Sequence, residues 1–374
     1  MSCEGNRLRI GIIGCGHWGP NHLRVFSELS RSLVVAVADL NPQRLNWVRK
    51  RYAHVAITSD YHELLNNPSV DAVVISTPTV THASITREAL HAGKHVLVEK
   101  PLCKTVEEGR DLPRLAHERG LRVMVGHVFV YNNGIIRLRD AILAGELGRV
   151  QYLDAVRTNL GPVRGDVNAL YDLGTHDISI FNYLLGACPV EVAALGRCIF
   201  QRDIEDVCFA TLRYADGTLG HIHVSWMNPR KVRTVTVIGQ RKMADWDDVD
   251  PVNTLRVYDK GVDEPPHYNS FGEFQCLLRS ADVYLPRVDR VEPLINQGNA
   301  FLNSVLDAAP SRSGPMEALQ VVAVLEATTK SMRDGGKLYP VDLPLIDDPP
   351  ESVVDSEKTR PVKPPTKPLE LVTV

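Results

Sequence analysis

Residues 8–19 read LRIGIIGCGHWG, an apolar run that ends in Gly14, Gly16 and Gly19 at the spacing G-x-G-x-x-G and leads into a helical pattern, PNHLRVFSEL. Alone, such a triplet is common. Between a strand and a helix each glycine acquires a use: the tight turn, close approach of a pyrophosphate, and packing of helix on strand, with the helix N-terminus facing the anion. His17 and Trp18 complete the turn and are expected beside the same cofactor. Twenty residues after Gly19, Asp39 closes a second apolar run, LVVAVAD. A carboxylate there accepts hydrogen bonds from the adenosine ribose and repels a 2′-phosphate, so the expected cofactor is NAD in preference to NADP. Arg44 lies near enough in sequence to soften that choice. The competing reading is a glycine turn that serves packing alone.

Outward from this stretch, the runs AVVIST, HVLVEK and LRVMVG alternate with helical patterns such as PQRLNWVRKRY and THASITREALHAG. That rhythm belongs to a parallel sheet covered on both faces. After Gly126 it changes. A helix over YNNGIIRLRDAILAGELG is followed by longer strand patterns, VQYLDAVRTNL, EVAALGRCIF, DVCFATLRYA, TLGHIHVSW and VRTVTVIG, with a hairpin signal at Ala215-Asp216-Gly217. The expected fold class is α/β: an N-terminal Rossmann dinucleotide-binding domain over 1–127, then an α+β domain with a mostly antiparallel open sheet over 128–342. Two further helical stretches, INQGNAFLNSVLDA and MEALQVVAVLEATTKSMRDGG, are expected to pack back on the body. Residues 343–374 are rich in proline and charge, and are expected to be a disordered tail.

Composition removes several function classes. Lys+Arg 42 against Asp+Glu 45 gives a formal charge of −3, without the basic stripe a nucleic-acid binder needs. No apolar run reaches the length of a membrane helix, and the chain enters a strand pattern too early for a signal peptide, so the expected location is the cytoplasm. Seven scattered cysteines (Cys3, Cys15, Cys103, Cys188, Cys198, Cys208 and Cys276), without CxxC or HExxH, suggest thiols in a reducing compartment and no metal site. His221 and His223 alternate on one strand and are expected on a solvated or interface face.

Further along, Glu99-Lys100-Pro101 at the end of a strand and YDLGTHDIS, with Asp172, Gly174, His176 and Asp177, follow the glycine loop in order. With these three motifs the chain resembles the glucose-fructose oxidoreductase and inositol dehydrogenase family (Gfo/Idh/MocA) over roughly Arg7 to Leu338. It departs from the family in the stretch GDVNALYD, where a glycine-rich segment is usual. The resemblance implies that Lys100 and His176 stand by the nicotinamide and a substrate alcohol. The residue chemistry agrees: histidine suits removal of a hydroxyl proton, and a lysine ammonium suits stabilisation of alkoxide character. Asp172, four residues before His176, is expected to share a helix face with it and to orient both histidine and substrate. Thr77, Pro78, His82 and Glu99 are expected to help hold the cofactor. Tyr131 and Asn132 are expected to line a sugar pocket where the domains meet. Arg157, Asn159, Arg164, Asp166 and Asn168 are expected to form a polar loop able to grip a sugar or nucleotide diphosphate. The implied activity is hydride transfer between NAD and a ring secondary alcohol of a sugar, best matched by a nucleotide-linked sugar. A free inositol or monosaccharide is the alternative. A redox-neutral glycosidase that retains NAD and a non-catalytic regulator are the readings from other classes. A homo-oligomer formed through the open C-terminal sheet is expected.

Overall fold

The computed structural model describes residues 7–263 and 277–343. The expected tail, Cys3 and Cys276 lie outside the described residues. Six parallel strands form the first sheet: β1 (Leu8–Ile13), β2 (Ser32–Ala38), β3 (Ala56–Thr58), β4 (Ala72–Ile75), β5 (His95–Val98) and β6 (Val123–Val125). Their order is β3-β2-β1-β4-β5-β6. Both faces are covered, so Ile10, Ile12, Val73, Val74, Val96 and Leu97 are almost wholly withdrawn from water. Each contributes about 1.5–3 kcal/mol through that burial.

The connecting helices are α1 (Gly19–Glu28), α2 (Pro42–Arg51), α3 (His62–Asn66), α4 (His82–His91), α5 (Val106–Gly109) and α6 (Leu112–Glu118). Local chemistry sets their ends. Asn41 caps α2, its Oδ1 accepting from the Gln43 N–H at 2.8 Å, and Pro42 enters the first turn. The strand order reverses between β1 and β4, which opens a crevice at their C-terminal ends.

The second sheet holds nine strands in the order β14-β13-β12-β11-β7-β10-β9-β8-β15. They are β7 (Val150–Leu160), β8 (Pro189–Arg197), β9 (Val207–Tyr214), β10 (Leu219–Ser225), β11 (Met227–Gly239), β12 (Met243–Asp247), β13 (Leu255–Asp263), β14 (Leu277–Tyr284) and β15 (Tyr339–Pro340). Every pair is antiparallel except β7 with β10. The hairpin expected at 215–217 joins β9 to β10, and Gly217 takes φ +87° there.

Helices α7 (Asn133–Leu143), α8 (Thr175–Leu185), α9 (Pro293–Leu306) and α10 (Pro315–Arg333) are the further helices among the described residues. Phe301 and Leu302 of α9 join Leu23 and Phe26 of α1 in one buried cluster. A Cβ at Gly298 would lie 2.9 Å from Leu29, which shows how closely α9 sits on α1. The late helices therefore return to the first sheet's flank. Among the described residues, no helix is long and apolar enough to cross a membrane.

Candidate active site

The glycine loop occupies the crevice. Gly14 has φ +90°, and a Cβ on it would stand 2.7 Å from the Ser76 carbonyl oxygen, so only glycine fits between β1 and the end of β4. A Cβ on Gly19 would overlap the Gly14 carbonyl. Gly16 meets nothing nearer than the Arg44 guanidinium at 3.6 Å, leaving its backbone open to an approaching ligand. No side chain caps the start of α1, where Trp18 is the N-cap; Pro20 carries no N–H and the Asn21 N–H donates to the Trp18 carbonyl at 2.9 Å, so the Gly19 N–H is the first-turn donor an anion would meet. His17 and Trp18 are exposed at the loop's rim. These features fit a dinucleotide pyrophosphate.

Asp39 is nearly buried. Its Oδ2 accepts from the Cys15 N–H at 2.6 Å and its Oδ1 from the Asn41 N–H at 2.7 Å, while Arg44 Nη1 stands 3.3 Å from Oδ2. The carboxylate thus anchors the glycine loop as well as ending β2. Across the crevice, Thr77 donates to the Thr81 hydroxyl at 2.7 Å and Pro78 is exposed ahead of a 3-10 turn. Ser76, which the sequence did not single out, donates to the Gly14 carbonyl at 2.7 Å and ties the two loops together.

His82 departs from its expected role. It is buried at the start of α4, with Nδ1 2.8 Å from the Pro101 carbonyl and Nε2 2.8 Å from the Thr77 carbonyl. Burial lowers its pKa, and a neutral imidazole carries one N–H, so it donates to one of these carbonyls at a time. It braces both loops from behind. His22 of α1, another residue missed from sequence, donates from Nε2 to Glu99 Oε1 at 2.8 Å. Burial pushes the Glu99 carboxyl up, but the His22 hydrogen bond and the neighbouring charges of His22 and Lys100 outweigh it and hold Glu99 below the usual range. Glu99 is therefore a buried anion beneath the cofactor crevice, and its Oε2 accepts from the Lys100 N–H at 3.2 Å.

Lys100 extends from the end of β5 into the second domain's sequence. Its Nζ donates to the Asp172 carbonyl at 2.6 Å and lies 3.3 Å from Asp172 Oδ1. Arg164 Nη1 reaches the same Oδ1 at 3.1 Å, and Trp226 Nε1 donates to Oδ2 at 3.3 Å. Burial raises the Asp172 carboxyl, yet the Lys100 and Arg164 cations override it and keep the group below the ordinary range. The expected single helical turn from Asp172 to His176 is not what forms. Leu170–Gly174 is a π-helical turn, and α8 begins after it. Asp172 orients Lys100; among the described residues no hydrogen bond joins it to His176.

His176 sits in the first turn of α8, 9% exposed, with the Phe129 ring edge-on at 4.9 Å between centroids. Its Nδ1 is buried without a partner. Burial, then the charges of Lys100 and Arg157, push its pKa well below the usual value, so the imidazole is neutral at neutral pH. His127, just after β6, is a further buried histidine, pushed down to about 4 chiefly by burial.

The remaining sequence expectations are corrected by the structure. Arg157 and Asn159 belong to β7, not to a loop. Arg157 is 3% exposed, makes a two-pronged ion pair with buried Asp177 at 2.8 and 3.0 Å, and lies 4.4 Å from the Phe129 ring centroid. It is a structural cation behind the histidine. Asn159 Nδ2 donates to the Gly161 carbonyl, and Asn168 holds Glu205 and the Tyr171 N–H. Of the five expected loop residues, Arg164 reaches the Asp172 carboxylate, with Asp166 bound to the same guanidinium at 2.6 Å, and the Asn168 carbonyl accepts from the Asp172 N–H at 3.0 Å. Tyr131 is 2% exposed, its hydroxyl 3.1 Å from Ser313 Oγ, so it belongs to the core. Asn132 caps α7 by accepting from the Gly134 N–H at 2.8 Å and from Trp246 Nε1 at 3.3 Å. Neither residue is free to line a sugar pocket.

Comparison with known proteins follows the same division. Residues 8–127 match the family described as "Oxidoreductase family, NAD-binding Rossmann fold", and residues 135–245 match the "GFO/IDH/MocA C-terminal domain". The chain is 30% identical to the UDP-N-acetylglucosamine 3-dehydrogenase of Acidithiobacillus ferrooxidans, covering 86% of this chain and 98% of that protein. It is 27% identical to the scyllo-inositol 2-dehydrogenase (NAD(+)) of Bacillus subtilis, covering 60% of this chain and 69% of that protein. A crystal structure of GenD2 from gentamicin A biosynthesis in complex with NAD superposes with a TM-score of 0.76, at 28% identity, covering 91% of this chain and 97% of that one.

Proposed function

The chain belongs to the GFO/IDH/MocA oxidoreductase family, and from that premise we propose that it oxidises a ring secondary alcohol of a nucleotide-linked sugar. It is an NAD-dependent dehydrogenase acting on the CH–OH group of a sugar or cyclitol. When bound, NAD supplies the hydride acceptor. The observation that carries the division of labour is the Lys100–Asp172 contact beside a neutral, partner-poor His176.

An ammonium has three N–H donors, and two of those on Lys100 are directed at Asp172. The third is free to donate to the reacting oxygen and to stabilise it as negative charge develops. His176, kept unprotonated by its surroundings, takes the hydroxyl proton as general base. Asp172 is a positioning residue for Lys100. Arg164, a third exposed along its side chain, is the group placed to meet an anionic substituent at the mouth of this site.

Two observations favour a nucleotide-linked sugar over a free cyclitol: the Arg164 guanidinium, and near-complete coverage of a nucleotide-sugar relative against partial coverage of the inositol dehydrogenase. Assembly is proposed through the second sheet's outer face. There Leu195, Phe209 and His223 are register neighbours, as are Tyr152 and Leu219, and all four apolar residues are about half exposed. His223 stacks on Phe209 at 4.4 Å, so it belongs to this face. A cytoplasmic location is part of the same reading.

The test is a panel of UDP- and dTDP-sugars and free inositols, followed by NADH absorbance at 340 nm. Turnover of a nucleotide sugar, with free UDP as a competitive inhibitor, supports the reading. Turnover of an inositol with indifference to UDP overturns the substrate assignment, and turnover without an absorbance change overturns the net oxidation.

A further inference from the structure

Away from Lys100 and Asp172, a cavity of about 510 Å³ opens between α7, α8 and the start of α10. Its volume is in the range of small-molecule sites. One wall is a single face of α8: Ser179, Asn182, Tyr183 and Gly186 recur at helical spacing. Arg139 of α7 and Arg312 of the loop before α10 also line the cavity. Their guanidinium carbons stand 4.1 and 5.9 Å from the centroid of the same ring, Tyr183.

The chemistry of the lining is unbalanced. Among the described residues, neither guanidinium has a hydrogen-bond or ion-pair partner. The Asn182 Nδ2 amide group is buried and unpartnered, and so are both ring nitrogens of His127, which also lines the cavity. Ser311 and Ser313 add hydroxyls. Glu317 is the one carboxylate in the lining, and it is exposed, so it balances at most one of the two arginines. Buried donors without acceptors are costly, and two unpaired guanidiniums on one ring repel each other. What would relieve both is a ligand rich in acceptors and negative charge.

We propose that this cavity is a second ligand site that binds a small molecule bearing a phosphate or carboxylate group through Arg139 and Arg312. Guanidinium forks match either oxyanion in two-pronged geometry. The site is distinct from the cofactor crevice, because the glycine loop and the first turn of α1 contribute nothing to its lining.

Holoenzyme saturated with NADH, so that the pyrophosphate site is filled, is titrated calorimetrically with inorganic phosphate and separately with citrate. The two arms distinguish a phosphate from a carboxylate ligand. Saturable binding of one of them, at one site per protomer, is expected. Arg312→Gln should weaken it by about tenfold or more, and Arg139→Gln with Arg312→Gln should abolish it. Arg312 is exposed, so its replacement alone decides the matter even if the double variant fails to fold. Lys100→Met, which removes the catalytic-site cation, should leave the affinity unchanged. Absence of saturable binding in both arms, survival of binding in Arg312→Gln, or loss of binding in Lys100→Met overturns the proposal.

Discussion

Lys100 and Asp172 stand 72 residues apart in sequence and belong to different sheets' connections, yet the Lys100 Nζ donates at 2.6 Å to the Asp172 backbone carbonyl and lies 3.3 Å from its carboxylate. Asp172 lies in the π-turn at Leu170–Gly174, and its carbonyl and one of its carboxylate oxygens face the same ammonium. This contact fixes the lysine between the end of β5 and the start of α8.

Removing the carboxylate should therefore act on turnover more than on cofactor binding. Asp172→Asn keeps the shape and the backbone contact but removes the charge that holds Lys100 and Arg164. We expect kcat to fall by about 10-fold to 10³-fold, with NAD affinity within a factor of two. Steady-state kinetics and a calorimetric NAD titration check this. A matching loss of NAD affinity would place Asp172 in cofactor binding instead.

The pH dependence follows from His176. Its pKa is pushed well below the ordinary value by burial, so the base form persists as pH falls below 6.5. The acidic limb of kcat/KM for alcohol oxidation should lie below pH 6.5, and His176→Ala should remove that limb. A limb at pH 7 or above in the wild type contradicts the neutral imidazole.

Stability responds to His127 in a defined direction. Its pKa is about 4 in the folded chain, against an ordinary 6.5 when unfolded. Between those values the unfolded chain binds a proton that the native one refuses, so stability is full above pH 6.5 and is lost as pH falls towards 4. The melting temperature of His127→Gln should decline less steeply over that window than that of the wild type. Equal slopes would mean that His127 is not held neutral.

Arg157 and Asp177 make a buried ion pair, and breaking such a pair by removing one partner costs about 3–5 kcal/mol. Arg157→Met leaves Asp177 buried and unpaired, so thermal unfolding should shift down strongly. Any protein that remains folded should keep its substrate KM, since the guanidinium faces Asp177 and Phe129. A raised KM with unchanged melting would restore Arg157 to the substrate site.

What was legible in the sequence was what local backbone geometry dictates. Gly14 and Gly19 announce themselves because no side chain fits against Ser76 and the loop's own carbonyl, and the β-branched runs mark the first sheet. The motif residues Lys100, Asp172 and His176 were found by resemblance, but their mutual arrangement depended on a π-turn that no periodicity reveals. Arg157 was misread for a physical reason. A charged residue in a strand normally faces water, and only Asp177, twenty residues on and itself buried, makes an inward guanidinium tolerable. His22 carried a weak signal, since it stands on the face of α1 shared with Phe26, but its partner Glu99 comes from the residue just after β5. The Tyr131 hydroxyl reaches Met124 of β6, and Asn132 Oδ1 accepts from Trp246 of β12. Core packing and helix capping take up their polar atoms.

In the proposed reaction His176 accepts the proton while Lys100 holds the oxygen. Its most direct test is kcat of His176→Ala on the substrate found by the 340 nm panel, measured alongside NAD affinity. The expected result is a loss of about 10²–10⁴ in kcat with NAD affinity almost unchanged. An enzyme that lacks His176 and turns over at near wild-type rate would contradict it.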